Sequence, residues 1–270
     1  MDLHDRAGVV TGAGSGIGRA LAVELGRRGG ELLLVGRREN LLRDTAELVT
    51  AAGGKAHVLA ADLTAEGAIE EVATAGEGLG RVDLLVNNAG NVRAGRLEEH
   101  EIRDVHAMID LNLTAPILLT RALLPALRAA APINGGLILN IASGMALLGL
   151  PSYSVYAATK AGLARFGESL RRELHGTGLH VATSYPGATD TDMMTSTEAG
   201  EEYGMGLRPL EEVVGEIIAA LESGTHEINT STAARQEVQR RNAIDPLDVD
   251  ALLAPRLAGF EQAVRNHRTT

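Results

Sequence analysis

Val10-Thr11-Gly12-Ala13-Gly14-Ser15-Gly16-Ile17-Gly18 is the stretch on which the fold turns. The β-branched run that enters it has the character of a strand. Immediately after it, Ile17, Leu21 and Leu25 repeat every four residues, the apolar stripe of one helix face. A glycine cluster where a strand becomes a helix has three geometric uses. One glycine permits the tight turn, another lets the backbone approach a pyrophosphate, and a third lets helix and strand pack closely, while free N–H groups at the helix start face the anion. No Gly-Lys-Ser/Thr follows, which argues against a P-loop.

Outward from this loop the same rhythm repeats. Short β-branched or Leu-rich runs stand at Gly8–Thr11, Leu32–Val35, Ala56–Ala61, Leu84–Asn87, Leu137–Ile141 and Val181–Ser184, with a weaker one at Glu227–Asn229. Between them lie helical patterns at about 40–51, 65–75, 101–130, 155–175 and 209–222. This predicts an α/β chain: a single Rossmann-type, doubly wound parallel sheet of six to seven strands with helices on both faces. The predicted organisation is a dinucleotide-binding and catalytic domain over 1–232 and a helical C-terminal extension over 233–270. The extension shows two helical patches separated by Asp245-Pro246 and interrupted at Pro255, with Leu252, Leu253, Leu257 and Phe260 as anchors. It either covers a pocket rim or packs on the surface.

Composition narrows the classes. The 270 residues are 45% hydrophobic, enough for a sizeable core, with 32 glycines and only 2% aromatics, so Leu, Val, Ile and Ala must do the packing. A net charge of −10 opposes binding to nucleic-acid backbones, and zero cysteines remove thiol nucleophiles, disulfides and thiolate metal sites. Eight scattered histidines show no His-x-x-x-His pair, so no metal is expected. No apolar run approaches the roughly 18 residues of a membrane span, and Met1-Asp2-Leu3-His4-Asp5-Arg6 lacks a signal-peptide layout. A cytoplasmic protein with neither nucleic-acid nor membrane partner is expected.

The end of the second strand, where an acidic residue would bind both adenosine ribose hydroxyls of NAD, reads Gly36-Arg37-Arg38. A planar cation there grips a 2′-phosphate, so NADP is predicted over NAD. Further on, Asn87-Asn88-Ala89-Gly90 ends the fourth strand, Asn112 lies in the long helix, Ser143 ends the fifth strand, and Tyr156-Ala157-Ala158-Thr159-Lys160 opens the next helix. Tyr156 and Lys160, one turn apart, share a face. A phenol with a pKa of about 10 is a sluggish base, but an adjacent ammonium and an oxidised nicotinamide both favour the phenolate. Tyr156 can then protonate the alkoxide formed as a carbonyl accepts hydride, and Ser143 can hydrogen-bond the carbonyl oxygen.

In this order, Thr11-Gly12-x-x-x-Gly16-x-Gly18, Asn-Asn-Ala-Gly, Ser143 thirteen residues before Tyr156, Tyr-x-x-x-Lys and Pro186-Gly187 resemble the short-chain dehydrogenase/reductase family over about residues 6–230. The resemblance implies an oxidoreductase interconverting a ketone or aldehyde and an alcohol. It implies that Lys160 also holds the nicotinamide ribose and that Asn112 supports a proton-relay water. For the cofactor it implies contacts from Gly12, Ser15, Gly16, Ile17 and Gly18, from Asp62 and Leu63 at the adenine, and from Asn88, Ala89 and Gly90 at the ribose. It further implies contacts from Pro186, Gly187, Thr189 and Thr191 at the carboxamide, although the family usually has Val or Ile where Thr189 stands. A sugar-nucleotide epimerase or dehydratase is a rival, disfavoured by the three-residue gap between Gly12 and Gly16. A catalytically idle NADP-sensing protein is another, disfavoured by the intact Asn112, Ser143, Tyr156 and Lys160.

Two departures from the family are visible. Glu227-Ile228-Asn229-Thr230 replaces the usual Val-Asp-Gly-Gly-like ending, which leaves a homodimer through the helices at 101–130 and 155–175 and makes a tetramer doubtful. Met145, Leu147 and Leu148 after Ser143, together with Met193, Met194, Tyr203 and Met205, suggest an adaptable apolar lid. Glu198, Glu201 and Glu202 argue against a strongly anionic substrate.

Overall fold

The computed structural model describes residues 1–269. Seven parallel strands form one sheet: β1 (Ala7–Thr11), β2 (Glu31–Gly36), β3 (Lys55–Ala60), β4 (Leu84–Asn87), β5 (Gly136–Ile141), β6 (Leu179–Tyr185) and β7 (Glu227–Asn229). Their order is β3-β2-β1-β4-β5-β6-β7, so the chain reverses direction across the sheet between β1 and β4. Crevices for ligands open at such a point, beyond the carboxyl ends of the strands. The predicted doubly wound sheet is borne out, including its weak seventh strand.

The strands are continuously apolar because both faces are covered. Val10, Leu34 and Val86, aligned in register on β1, β2 and β4, join one core layer with Leu21 and Leu25 of α1 (Gly16–Gly26) and Leu42 and Val49 of α2 (Glu39–Ala51). Ile217 and Leu221 of α7 (Leu210–Glu222) complete that layer. The alternate residues Val9, Leu33 and Leu85 face the other way. They meet Val72 of α3 (Ala68–Glu77), Leu119, Leu123 and Leu127 of α5 (Ala115–Asn134) and Leu170 of α6 (Ser154–Glu173).

The helix anticipated at 101–130 is more structured than its periodicity indicates. α4 (Ile102–Ile109) runs into α5 through a π-helical turn, Asp110–Thr114, that contains Asn112. One extra residue per turn re-aims the side chains around it, which is why such turns collect at sites. Residues 102–134 together are long and apolar enough to cross a membrane by length and composition. That corrects the reading of no span-length stretch. The apolar side chains responsible, Leu119, Leu123 and Leu127, are fully buried against the sheet. The extension holds three helices rather than two: α8 (Ala233–Ile244), α9 (Pro246–Leu253) and, after a 3-10 turn at Ala254–Arg256, α10 (Leu257–Val264). Asp245 ends α8 and its carboxylate caps α9, accepting from the Leu247 and Asp248 amides. Pro255 introduces a 3-10 turn instead of ending the helical run.

Candidate active site

At the carboxyl end of β1, Gly12 and Gly16 have φ of 64° and 52°, a region costly for any side chain. Ser15 is the N-cap of α1, yet no side chain caps the helix start, and its first turn carries no acid. The leading N–H groups are therefore open to an anion. Gly18 is required by packing: a Cβ there would lie 2.3 Å from the Asn88 amide nitrogen and 2.4 Å from the Gly12 carbonyl oxygen. Asn88 ties β4 to the loop by donating to the Thr11 and Gly12 carbonyls at 2.9 and 3.2 Å. The Thr11 hydroxyl accepts from the Asn88 and Ala89 amides and donates to the Val86 carbonyl. Thr11 appears in the sequence pattern only as a family letter; its hydroxyl is what anchors the turn.

One cleft of about 380 Å³ runs from this loop to the C-terminal tail. Gly12, Ser15, Gly16, Ile17, Arg37, Arg38, Asp62 and Leu63 line one end. Asn88, Ala89, Gly90, Ser143, Tyr156, Lys160, Pro186, Gly187, Thr189 and Thr191 line the rest. Gly18 and Asn112 are not on the wall. Arg37 and Arg38 are exposed, and an Arg38 guanidinium nitrogen lies 3.3 Å from the Ser15 hydroxyl. Asp62 is held below the usual carboxylate range chiefly by the Thr64 amide, with Arg37 adding to the effect.

Ser143 follows β5, and its hydroxyl accepts from the Met145 amide at 3.1 Å. Tyr156 and Lys160 are both buried on α6. The Lys160 ammonium donates to the Ile141 carbonyl at 2.9 Å and stands 6.0 Å from the Tyr156 ring centroid. Burial depresses its pKa to about 8. Burial also raises the Tyr156 phenol, an effect opposed by the neighbouring Ser143 hydroxyl and not by Lys160. The bond from Lys160 to a neutral carbonyl leaves the ammonium's charge in place beside the ring. Asn112, buried in the π turn, accepts from the Asn91 amide at 2.8 Å and donates to the Asn91 carbonyl at 2.9 Å and the Thr159 hydroxyl at 3.2 Å. Its side chain holds the backbone just beyond Gly90, where a Cβ would approach Asn112 Oδ1 at 3.1 Å and Lys160 Nζ at 3.3 Å.

The far end of the cleft is formed by the extension. Residues 92–94 pair antiparallel with 267–269: the Ala94 amide donates to the His267 carbonyl at 2.9 Å and the Thr269 amide to the Val92 carbonyl at 3.0 Å. His267 is buried. Its Nδ1 lies 2.6 Å from the Tyr153 hydroxyl and its Nε2 is 2.9 Å from the Met193 carbonyl. Burial lowers its pKa, as suits a neutral ring. Met145, Met193, Met194 and Met205 line the cleft, whereas Leu147 and Leu148 do not, and Tyr203 instead packs on Phe260 at 5.5 Å. Of the two placements left open for the extension, it takes the pocket rim. His267, Arg268, Thr269 and Arg235 belong to the wall, and none carries a motif that would mark it.

The short chain dehydrogenase family model matches residues 6–202. An uncharacterized oxidoreductase of Staphylococcus epidermidis is 34% identical over 200 residues, 74% of this chain and 84% of the relative. The ketoacyl reductase HetN of a Nostoc species is 31% identical over 222 residues, 82% of this chain and 76% of that protein. Among solved structures, an alcohol dehydrogenase from the archaeon Thermococcus sibiricus, complexed with 5-hydroxy-NADP, is similar with a TM-score of 0.75 at 26% identity, covering 84% of this chain and 97% of that one.

Proposed function

The chain belongs to the short-chain dehydrogenase family of oxidoreductases, and from that premise we propose that it is an NADP-dependent enzyme interconverting a small carbonyl compound and its alcohol. The observation that carries the reading is the continuity of one cleft. Uncapped amides and two arginines stand at one end, and Ser143, Tyr156 and Lys160 stand further along it. The residues fit a dinucleotide. Positive-φ glycines leave room at the helix start, Arg37 and Arg38 suit a 2′-phosphate, and Asp62 is kept ionised to accept from an adenine amine. NADPH, when bound, supplies the hydride and its oxidised ring supplies positive charge.

The chain's own groups do the rest. Ser143 orients the carbonyl oxygen, and Tyr156 delivers the proton to it as charge develops. A phenol that burial keeps protonated is a competent donor in the reducing direction. Lys160, held by the Ile141 carbonyl, presents its ammonium to ribose hydroxyls. Asn112 fixes the Asn91 backbone beside Lys160, and a water on this segment would relay protons to the ammonium. The same reading takes a cytoplasmic homodimer through α4, α5 and α6, where Ile102, Leu118 and Ile133 are exposed. Turnover of NADPH and of NADH against a panel of ketones and aldehydes tests it. Consumption of NADPH in preference to NADH is expected; binding without consumption would make the protein a sensor, and a preference for NADH would remove the role given to the arginines.

A further inference from the structure

Within the cleft, Arg235 is used by nothing described so far. It lies in the first turn of α8, with its half-buried side chain on the cleft wall. Gln239, one turn further along α8, is buried and donates to the Gly144 carbonyl at 3.2 Å, so this helix face lies on the turn that carries Ser143. The Arg235 guanidinium reaches the lid on the other side, 3.7 Å from where a Cβ on Gly204 would sit. It therefore stands at the substrate end, away from Arg37 and Arg38.

Of the other arginines at this end of the cleft, Arg268 is exposed and Arg208 is paired. Arg208 on the same wall is gripped by Glu216 at 2.6 Å and donates to the Thr230 carbonyl. Among the described residues, the Arg235 guanidinium has no carboxylate within ion-pair distance and no hydrogen bond. Burial pushes its pKa down with nothing offsetting it. A guanidinium does not deprotonate, so Arg235, half-buried and open to the cleft, presents there a positive charge that no carboxylate among the described residues neutralises. The carboxylates that argued against an anion are elsewhere: Glu198, Glu201 and Glu202 are exposed and off the cleft wall. Asp192 is the carboxylate that shares this end, on the exposed part of the lid.

We infer that the carbonyl substrate bears a carboxylate and that Arg235 receives it, with Ser143 and Tyr156 at the keto group. The inference rests on the carbonyl-reducing reading above and reverses the expectation of a non-anionic substrate. Two parallel N–H···O bonds from one planar fork would fix the distance from carboxylate to carbonyl, making α8 the ruler for chain length.

The test uses the full chain with linear keto acids from pyruvate to 5-oxohexanoate, each beside its methyl ester. Turnover is followed by NADPH oxidation, and binding to the NADP-loaded protein by calorimetry. For the best-fitting length, the acid should exceed its ester by about tenfold to a hundredfold in kcat/KM, chiefly through KM. Arg235→Met should erase that preference while ester turnover and the NADPH dissociation constant stay unchanged, and Arg235→Lys should restore part of it. A merely structural role would depress ester turnover as well. Esters equal to acids across the series, a preference that survives Arg235→Met, or a variant that loses NADPH instead of the acid would each overturn the inference. Acids that bind wild type and not Arg235→Met, with NADPH never consumed, would sink the proposed reaction and leave this site standing. Esters turned over with acids neither bound nor preferred would do the reverse.

Discussion

Lys160 should destabilise the protein that needs it. Its ammonium is buried with one main-chain carbonyl for company, and its pKa falls from 10.5 to about 8. A base whose folded pKa is depressed binds fewer protons folded than unfolded between those two values, so stability rises with pH across that window. At 1.36 kcal/mol per decade the full span corresponds to about 3 kcal/mol, of which about 2 kcal/mol falls between pH 7 and pH 9.5. Lys160→Met removes this titration. It also loses the bond to the Ile141 carbonyl, whose pH dependence is already contained in the shifted pKa. The difference in unfolding free energy between wild type and variant should therefore shift by about 2 kcal/mol in favour of wild type from pH 7 to pH 9.5, or about 4 °C in Tm. Urea titrations of both cofactor-free proteins at four pH values measure it. Parallel pH profiles, or a wild type that loses ground as pH rises, would refute the depressed lysine.

Two other outcomes follow from particular contacts. Gly18→Ala places a methyl 2.3 Å from the Asn88 amide and should cost about 1–3 kcal/mol of stability and weaken NADPH at least about tenfold; thermal melts and cofactor titration check both. His267 is buried neutral between Tyr153 and the Met193 carbonyl, so below its ordinary 6.5 the unfolded tail binds the proton that the docked tail resists, and stability is lost as pH falls. Protection factors of the amides of residues 265–269, with the intrinsic rate divided out at each pH, should fall below pH 6.5 in wild type, and His267→Gln should remove that pH dependence while opening the tail by about 1–2 kcal/mol at neutral pH.

What was legible in the sequence is what local chemistry encodes. Glycines at 12, 16 and 18 announce a turn because no other residue fits the φ or the gap beside Asn88, and a lysine four residues after a tyrosine must share its face. The continuously apolar strands likewise say that both faces of the sheet are covered, as they are by the layers that Val9 and Val10 enter on opposite sides. The rest depends on distances that folding alone creates. The π turn at 110–114 has no compositional mark, and the spacing of Tyr156 and Lys160 does not tell that the ammonium is bonded to a carbonyl nineteen residues upstream. His267 meets Tyr153 across 114 residues of chain, and Arg235 faces Gly204 from a helix whose pattern says only that it is polar. Glu198, Glu201 and Glu202 stand near the lid in sequence, yet they are exposed and off the cleft wall, a placement that spacing does not reveal.

Proton delivery by one phenol underlies the proposed chemistry, and Tyr156→Phe measures it most directly. The variant keeps the buried ring, so NADPH should bind with an unchanged dissociation constant while carbonyl reduction falls at least about a hundredfold, the loss of a general acid. Reduction that persists near the wild-type rate in a variant that still binds NADPH would contradict the mechanism at its centre.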